Sequence, residues 1–251
     1  MYYHPSRTSP TFTTRNHFVN PSQSAYAWYS AVLRGESPAD SPPAQSPAED
    51  QLLQCGIDNG VIPLAHYHLD KASVLRQLPE NLQALFQQHS RQAAALEMAR
   101  QHETQSVLQE FRSHHIDALL MKGTPLAYSL YAEPYLRVRC DTDVLFDSRE
   151  SAERAWELLR QRGYQRPNAV SGEFISHEFA CHRNTPAGIQ HTFDLHWRVN
   201  NAQRFARALA FEELSRAATV CAALGEAALG LGPLHALLLA CMHRMAHKPE
   251  G

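Results

Sequence analysis

Asp141 and Asp143 stand one residue apart at the head of an apolar run, Asp141-Thr142-Asp143-Val144-Leu145-Phe146. If that run is a strand, its side-chain period of two puts both carboxylates on one face. Carboxylates held side by side repel each other unless a cation sits between them, and hard oxygen donors suit Mg²⁺. Upstream, Lys122-Gly123-Thr124 closes a second apolar run at 116–121. A glycine turn after one strand and an acid pair on the next can together hold a metal–triphosphate complex.

The elements that must position these groups follow from local pattern. Residues 116–121 read as a buried strand and 125–131 as a helix, with Thr124 as N-cap and Pro125 at the first helical position. The backbone N–H groups of Gly123 and Thr124 would then face a phosphate at a helix N-terminus. Residues 140–146 form the next strand, and 151–162 an amphipathic helix that stops at Gly163. Two further strands, 176–183 and 188–199, flank the loop Asn184-Thr185-Pro186-Ala187. The second alternates, with Phe193, Leu195, Trp197 and Val199 on one face and Thr192, Asp194, His196 and Arg198 on the other. Asp194 is thus a third carboxylate on a polar strand face. Helices are expected over 201–218 and 234–247.

N-terminal to this lies a different kind of chain. Residues 1–23 are rich in Ser, Thr, Pro and Asn, without a period, and read as a disordered tail. A short helix at 24–34 precedes a Pro/Ser-rich linker at 35–50. Short helices at 51–59 and 61–69, a turn at 73–78 and a long helix at 82–115 follow, and together they read as a helical support.

A net charge of -2 gives no overall nucleic-acid footprint, so no DNA partner is expected. The five cysteines form no CxxC pair, which argues for a reducing compartment. No signal-peptide order opens the chain, and no run approaches about 18 apolar residues. A cytoplasmic protein without a membrane partner is the expectation.

Residues 116–198 resemble the nucleotidyltransferase superfamily with a polymerase-beta-like fold. They most resemble an uncharacterised bacterial branch whose motifs are matched in order by Met121-Lys122-Gly123, Tyr131, Arg137, Asp141-Thr142-Asp143 and Asp194-Leu195-His196-Trp197. The resemblance implies an α/β (α+β) fold, a small mixed sheet with helices on one side, flanked by N- and C-terminal helical segments. The chain then divides into a tail and linker (1–50), a helical segment (51–115), the nucleotidyltransferase core (116–200) and C-terminal helices (201–251). It further implies transfer of a nucleoside monophosphate from an NTP to a hydroxyl on a protein, a tRNA or a small molecule, with release of pyrophosphate. Asp141, Asp143 and Asp194 would be both catalytic and metal-binding, holding two Mg²⁺ ions (or Mn²⁺). Lys122, Gly123, Thr124 and Arg137 would bind the nucleotide.

The chain departs from the wider superfamily in its Lys-Gly-Thr turn and in the 18 positions between Gly123 and Asp141, but both agree with the Lys-Gly branch. Members of that branch usually continue beyond the His-Arg helix, whereas this chain stops at Gly251. A catalytically weak binding or regulatory module is therefore the alternative to an enzyme. Blander roles compete residue by residue. The acid pair could be solvated strand-end charges, Asp194 could bond His196 or Arg198, Lys122 and Arg137 could be ordinary ion pairs, and Tyr131 could be core. Arg139, two residues from Asp141, could offset the acid pair when no metal is bound. A zinc site among His177, Cys181, His182, His191 and His196 is disfavoured by the lack of tight paired spacing.

Overall fold

The computed structural model describes residues 23–36, 46–167, 176–201, 205 and 208–246. Residues 1–22 of the expected tail and most of the Pro/Ser-rich linker lie outside those residues, whereas Gln23, expected in the tail, opens α1. Three short helices come first, α1 (Gln23–Leu33), α2 (Ser46–Asp58) and α3 (Ile62–Lys71). Helix α2 begins inside the stretch expected to be linker. Pro47 falls in its first turn, where a missing N–H breaks no helical hydrogen bond. Trp28, Tyr29, Leu52, Cys55, Ile62 and Leu69 of these helices share one apolar cluster.

Between residues 80 and 113 the chain has neither glycine nor proline and is rich in Ala, Gln, Leu and Glu, which favour helix. It forms one helix, α4 (Glu80–Ser113), roughly 50 Å long at 1.5 Å per residue. The two ends of α4 belong to different cores. Leu82 and Phe86 pack with α1–α3, whereas Val107, Leu108 and Phe111 pack on the sheet.

The remaining elements are β1 (Leu119–Met121), α5 (Gly123–Leu130), β2 (Thr142–Leu145), α6 (Arg149–Gln161), β3 (Glu178–Asn184), β4 (Gln190–His196), α7 (Phe211–Arg216), β5 (Thr219–Val220), β6 (Leu229–Gly230) and α8 (Pro233–Ala246). The six strands form one mixed sheet in the order β3-β4-β2-β1-β6-β5. β2 runs parallel to β4 and antiparallel to β1. Leu120, Val144, Phe193 and Leu195 face α4 and α6, while Leu119, Met121 and Leu145 pack with Leu214 of α7 and Leu239 of α8. Helices therefore cover both faces of the sheet, where a single helical side was expected.

Three local expectations are corrected. The stretch 201–218 is not one helix, because Leu209 has φ +58° and Ala210 is extended, so α7 starts only at Phe211; residues 202–204 and 206–207 lie outside the described chain. The strands β5 and β6 were not expected at all. β6 runs parallel to β1 and passes so close to α5 that a Cβ on Gly230 would meet Pro125 at 2.9 Å. Lastly, α5 starts two residues early. Lys122, not Thr124, occupies the N-cap position, and Thr124 lies buried in the first turn with no partner for its Oγ1 among the described residues.

A buried ion cluster ties α4 to the sheet and α6. Glu103 accepts from the Tyr164 hydroxyl at 2.8 Å and pairs with Arg183 at 2.8 Å and Arg162 at 3.3 Å. Arg162 also reaches Glu110 at 2.7 Å and Ser106 at 2.9 Å. Removing the Glu103 charge would leave two guanidiniums facing each other at a partly buried interface. Both keep some contact with water, which lessens the penalty. Glu103→Gln is expected to lower the urea unfolding free energy by about 2–3 kcal/mol. Glu110→Gln, which leaves Glu103 in place, should cost under about 1 kcal/mol.

Candidate active site

The sheet register brings the two halves of the acid cluster together. In the parallel pairing of β2 with β4, Asp143 stands directly opposite Asp194, and in the antiparallel pairing with β1 it stands opposite Met121. Residues paired in register point to the same face of a sheet. Asp143, Asp194 and His196 therefore share one face, and one ligand atom from each lies within 4.8 Å of the others. Asp141 sits just ahead of β2 and is half-buried.

Asp143 is the hub. Its Oδ1 accepts from Lys122 Nζ at 2.6 Å and from His196 Nε2 at 2.9 Å. The other nitrogen of His196, Nδ1, lies 2.6 Å from Glu178 Oε2. Both ring nitrogens face carboxylates, which only accept, so both must donate and the ring is an imidazolium. Burial pulls the His196 pKa down, but the bonds to Asp143 and Glu178 outweigh it and hold the pKa above its ordinary value. Asp143 is the mirror case. Burial pushes it up, and His196 and Lys122 together bring it below the usual carboxylate range. Glu178 is likewise lowered, against its burial, by His196. Asn201 fixes Glu178, donating to it at 2.9 Å while its Oδ1 accepts from the His177 N–H at 2.7 Å.

The other two aspartates lack such partners. Burial and then the charges of Asp143 and Asp141 push Asp194 up to about 6. Asp141 is raised by burial and by Asp143, in spite of nearby Lys122. The site is short of positive charge, and its donors are mainly hard oxygens. A divalent cation fits that deficit.

The structure places the remaining expected residues as follows. Lys122 turns left-handed, with φ +57° and ψ -124°, a conformation that costs a non-glycine residue about 1–3 kcal/mol. That turn sends its ammonium back onto Asp143. Gly123 opens α5 and is partly exposed, so its backbone remains approachable. Arg137 lies apart from the carboxylates, its guanidinium beside the Tyr131 ring and 3.5 Å from its hydroxyl. Arg139 bonds neither carboxylate of the acid pair and acts on Asp141 only weakly, through its charge. It turns to the opposite face, where it pairs with buried Glu97 of α4 and donates to Thr142 Oγ1 and the Asp141 carbonyl. Among the described residues no hydrogen bond joins Asp194 to His196, whose two ring nitrogens are committed to Asp143 and Glu178.

Sequence reasoning missed Glu178 and gave His196 no role in the cluster. Glu178 pairs with His196 across β3 and β4, a register that only the correct hairpin loop would have given. The loop expected at 184–187 would have set Arg183 opposite Gly188, but Arg183 faces His191. Of the zinc candidates, Cys181 is buried, its thiol pushed up to about 12 by burial and donating to the Phe193 carbonyl at 3.5 Å. Asp143, Asp194 and His196 are the one group with metal-ligand spacing among the described residues.

A carboxylate with a raised native pKa stabilises the fold below its unfolded pKa and loses that contribution as pH rises through the native one. For Asp194 the loss runs from about pH 4 to about pH 6. In EDTA at pH 7.5, Asp194→Asn should therefore melt about 2–5 °C higher than wild type. The gap should close toward pH 4, as followed by circular dichroism.

No helix among the described residues is long and apolar enough to cross a membrane. A search of curated proteins gives no match. A family model described as "Uncharacterised nucleotidyltransferase" matches residues 45–251, which takes in α2 through α8 and every residue of the acid cluster. With its paired aspartates, its Lys-Gly turn and that match, the chain belongs to the uncharacterised nucleotidyltransferase family.

Proposed function

We propose that this protein is a Mg²⁺-dependent nucleotidyltransferase that moves a nucleoside monophosphate from an NTP to a hydroxyl acceptor. The observation that carries the reading is the in-register pairing of Asp143 with Asp194 beside the Lys122-Gly123 turn. Asp141, Asp143 and Asp194 are the residues that would hold the divalent cations. When bound, those cations supply Lewis-acid stabilisation of the phosphoryl and attacking oxygens.

The protein's own groups have definite tasks. Gly123 presents a backbone without a side chain at the N-terminus of α5, where a helix end attracts phosphate. Lys122 balances Asp143 in the resting protein. With that carboxylate engaged elsewhere, its ammonium is free to turn to the triphosphate. His196 and Glu178 fix the rotamer of Asp143 from behind. In the reaction the acceptor oxygen bonds to the α-phosphorus, the bond to the pyrophosphate oxygen breaks, and Asp194 takes the hydroxyl proton. Pyrophosphate leaves with the negative charge, which Lys122 is placed to meet. The backbone N–H of Thr124 is assigned a supporting contact to the nucleotide side of the site.

The test is incubation with each of the four α-³²P-labelled NTPs, Mg²⁺ or Mn²⁺, and cell lysate as acceptor pool. Label should pass to an acceptor with wild type. In an Asp141→Ala/Asp143→Ala variant transfer should fall by at least about 10²–10³-fold. A folded wild type with neither transfer nor Mg²⁺-dependent NTP binding would sink the reading. Lys122→Ala is expected to reduce transfer by about 10-fold or more while the metal still raises the melting temperature.

A further inference from the structure

A cavity of about 230 Å³ lies between the helical segment and the loop that leads into β2. Its walls come from α2, α3 and α4 on one side and from residues 135–140 on the other. None of Lys122, Gly123, Thr124, Asp143 or Asp194 lines it, so it is distinct from the turn assigned to the triphosphate. Arg100, Arg137 and Arg139 enter it together, against one lining carboxylate, Glu97. Glu97 is already committed to Arg139 and to the Tyr128 hydroxyl. Arg100 forms no salt bridge among the described residues, and burial followed by the nearby Arg139 charge lowers its pKa.

Three like charges around one cavity repel each other, the more so for being partly buried, and an anion entering the cavity would offset that repulsion. The rest of the lining includes the apolar residues Ile57, Ile62, Leu96 and Val138, of which Ile57, Leu96 and Val138 are exposed. An occupant therefore needs an apolar body as well as an anionic group. Arg100 and Cys140 also line a narrow crevice whose walls include Asp141 and Thr142, so the cavity and the outer aspartate are neighbours.

We propose that this cavity binds the acceptor, and that the acceptor carries a phosphate or carboxylate attached to an apolar body. The assignment to the acceptor rests on the nucleotidyl-transfer reading; the anion site itself does not. Arg100 and Arg137 take the anionic group, the apolar lining residues take the body, and the crevice past Cys140 directs the hydroxyl toward Asp141.

The test uses phenyl phosphate, benzoate and phenol as probes, with calorimetry at pH 7.5 in EDTA. Phenyl phosphate, benzoate or both should bind, and phenol should not. Whichever anion binds more tightly identifies the head group. Arg100→Gln, which removes no salt bridge among the described residues, should weaken binding by about 10-fold or more. Ala93→Phe, which fills the cavity from α4, should abolish it, and Asp141→Asn/Asp194→Asn should bind like wild type. Equal binding by wild type, Arg100→Gln and Ala93→Phe, or no binding by folded wild type, overturns the site. In the labelled-transfer assay the tighter probe should inhibit, and more lysate rather than more NTP should overcome it. Inhibition relieved by NTP overturns the acceptor assignment. A wild type that binds the probe yet never transfers label loses the transfer reading and keeps the anion site.

Discussion

Two carboxylates are set face to face by the backbone ladder of parallel strands, and the rest of the site answers that constraint. Once β2 and β4 pair in their observed register, Asp143 and Asp194 cannot avoid each other. A lysine accepts an unfavourable backbone angle to bring its ammonium to one of them, and a histidine is held charged against the same oxygen. Glu178 and Asn201 then hold the histidine. Asp194 receives no such help and keeps its repulsion as a raised pKa. Stability would favour neutralising both acids, whereas a cation-binding site needs one of them left uncompensated.

How much of this was legible in the sequence depended on whether a residue's role is set by local pattern or by register. The alternation through Phe193, Leu195 and Trp197 located β4 and the polar face carrying Asp194. The run of helix formers after Pro79 located α4. The Asp-x-Asp spacing pointed to the strand that carries Asp143, although Asp141 lies just ahead of β2 rather than in it. By contrast, β5 and β6 are two residues each and too short for any period. Glu178 was invisible because its importance comes from facing His196, and the hairpin loop that sets this pairing is one residue longer than expected and begins one residue later. Lys122 was read as part of the turn before the helix, with no backbone conformation assigned to it. A lysine at positive φ has no sequence signature, since glycine is the usual occupant.

Buried charge is distributed along α4 with a clear division of labour. Glu97 holds Arg139 and Tyr128, and so fixes the loop that delivers Asp141. Glu103, six positions on, holds Arg162, Arg183 and Tyr164, and so fixes β3 and the end of α6. The two acids point one helix at two separate parts of the core, and neither would be tolerated without its guanidinium partners. The acid cluster and the arginine-lined cavity thereby share a single support.

The continuity of α4 has a mechanical consequence. A helix of 34 residues without glycine or proline behaves as a stiff beam, and here it is clamped into one core at each end. The helical segment and the sheet cannot swing apart about it in the manner of a hinge. Any widening of the space between them has to come from the chain on its other side, residues 131–141, whose one regular element is a single 3₁₀ turn at Pro134–Leu136. That stretch begins at Tyr131 and ends at Asp141, so a movement that admits a ligand would also shift the outermost carboxylate of the site. Admission and alignment would then be one displacement, driven from the loop while the beam stays still.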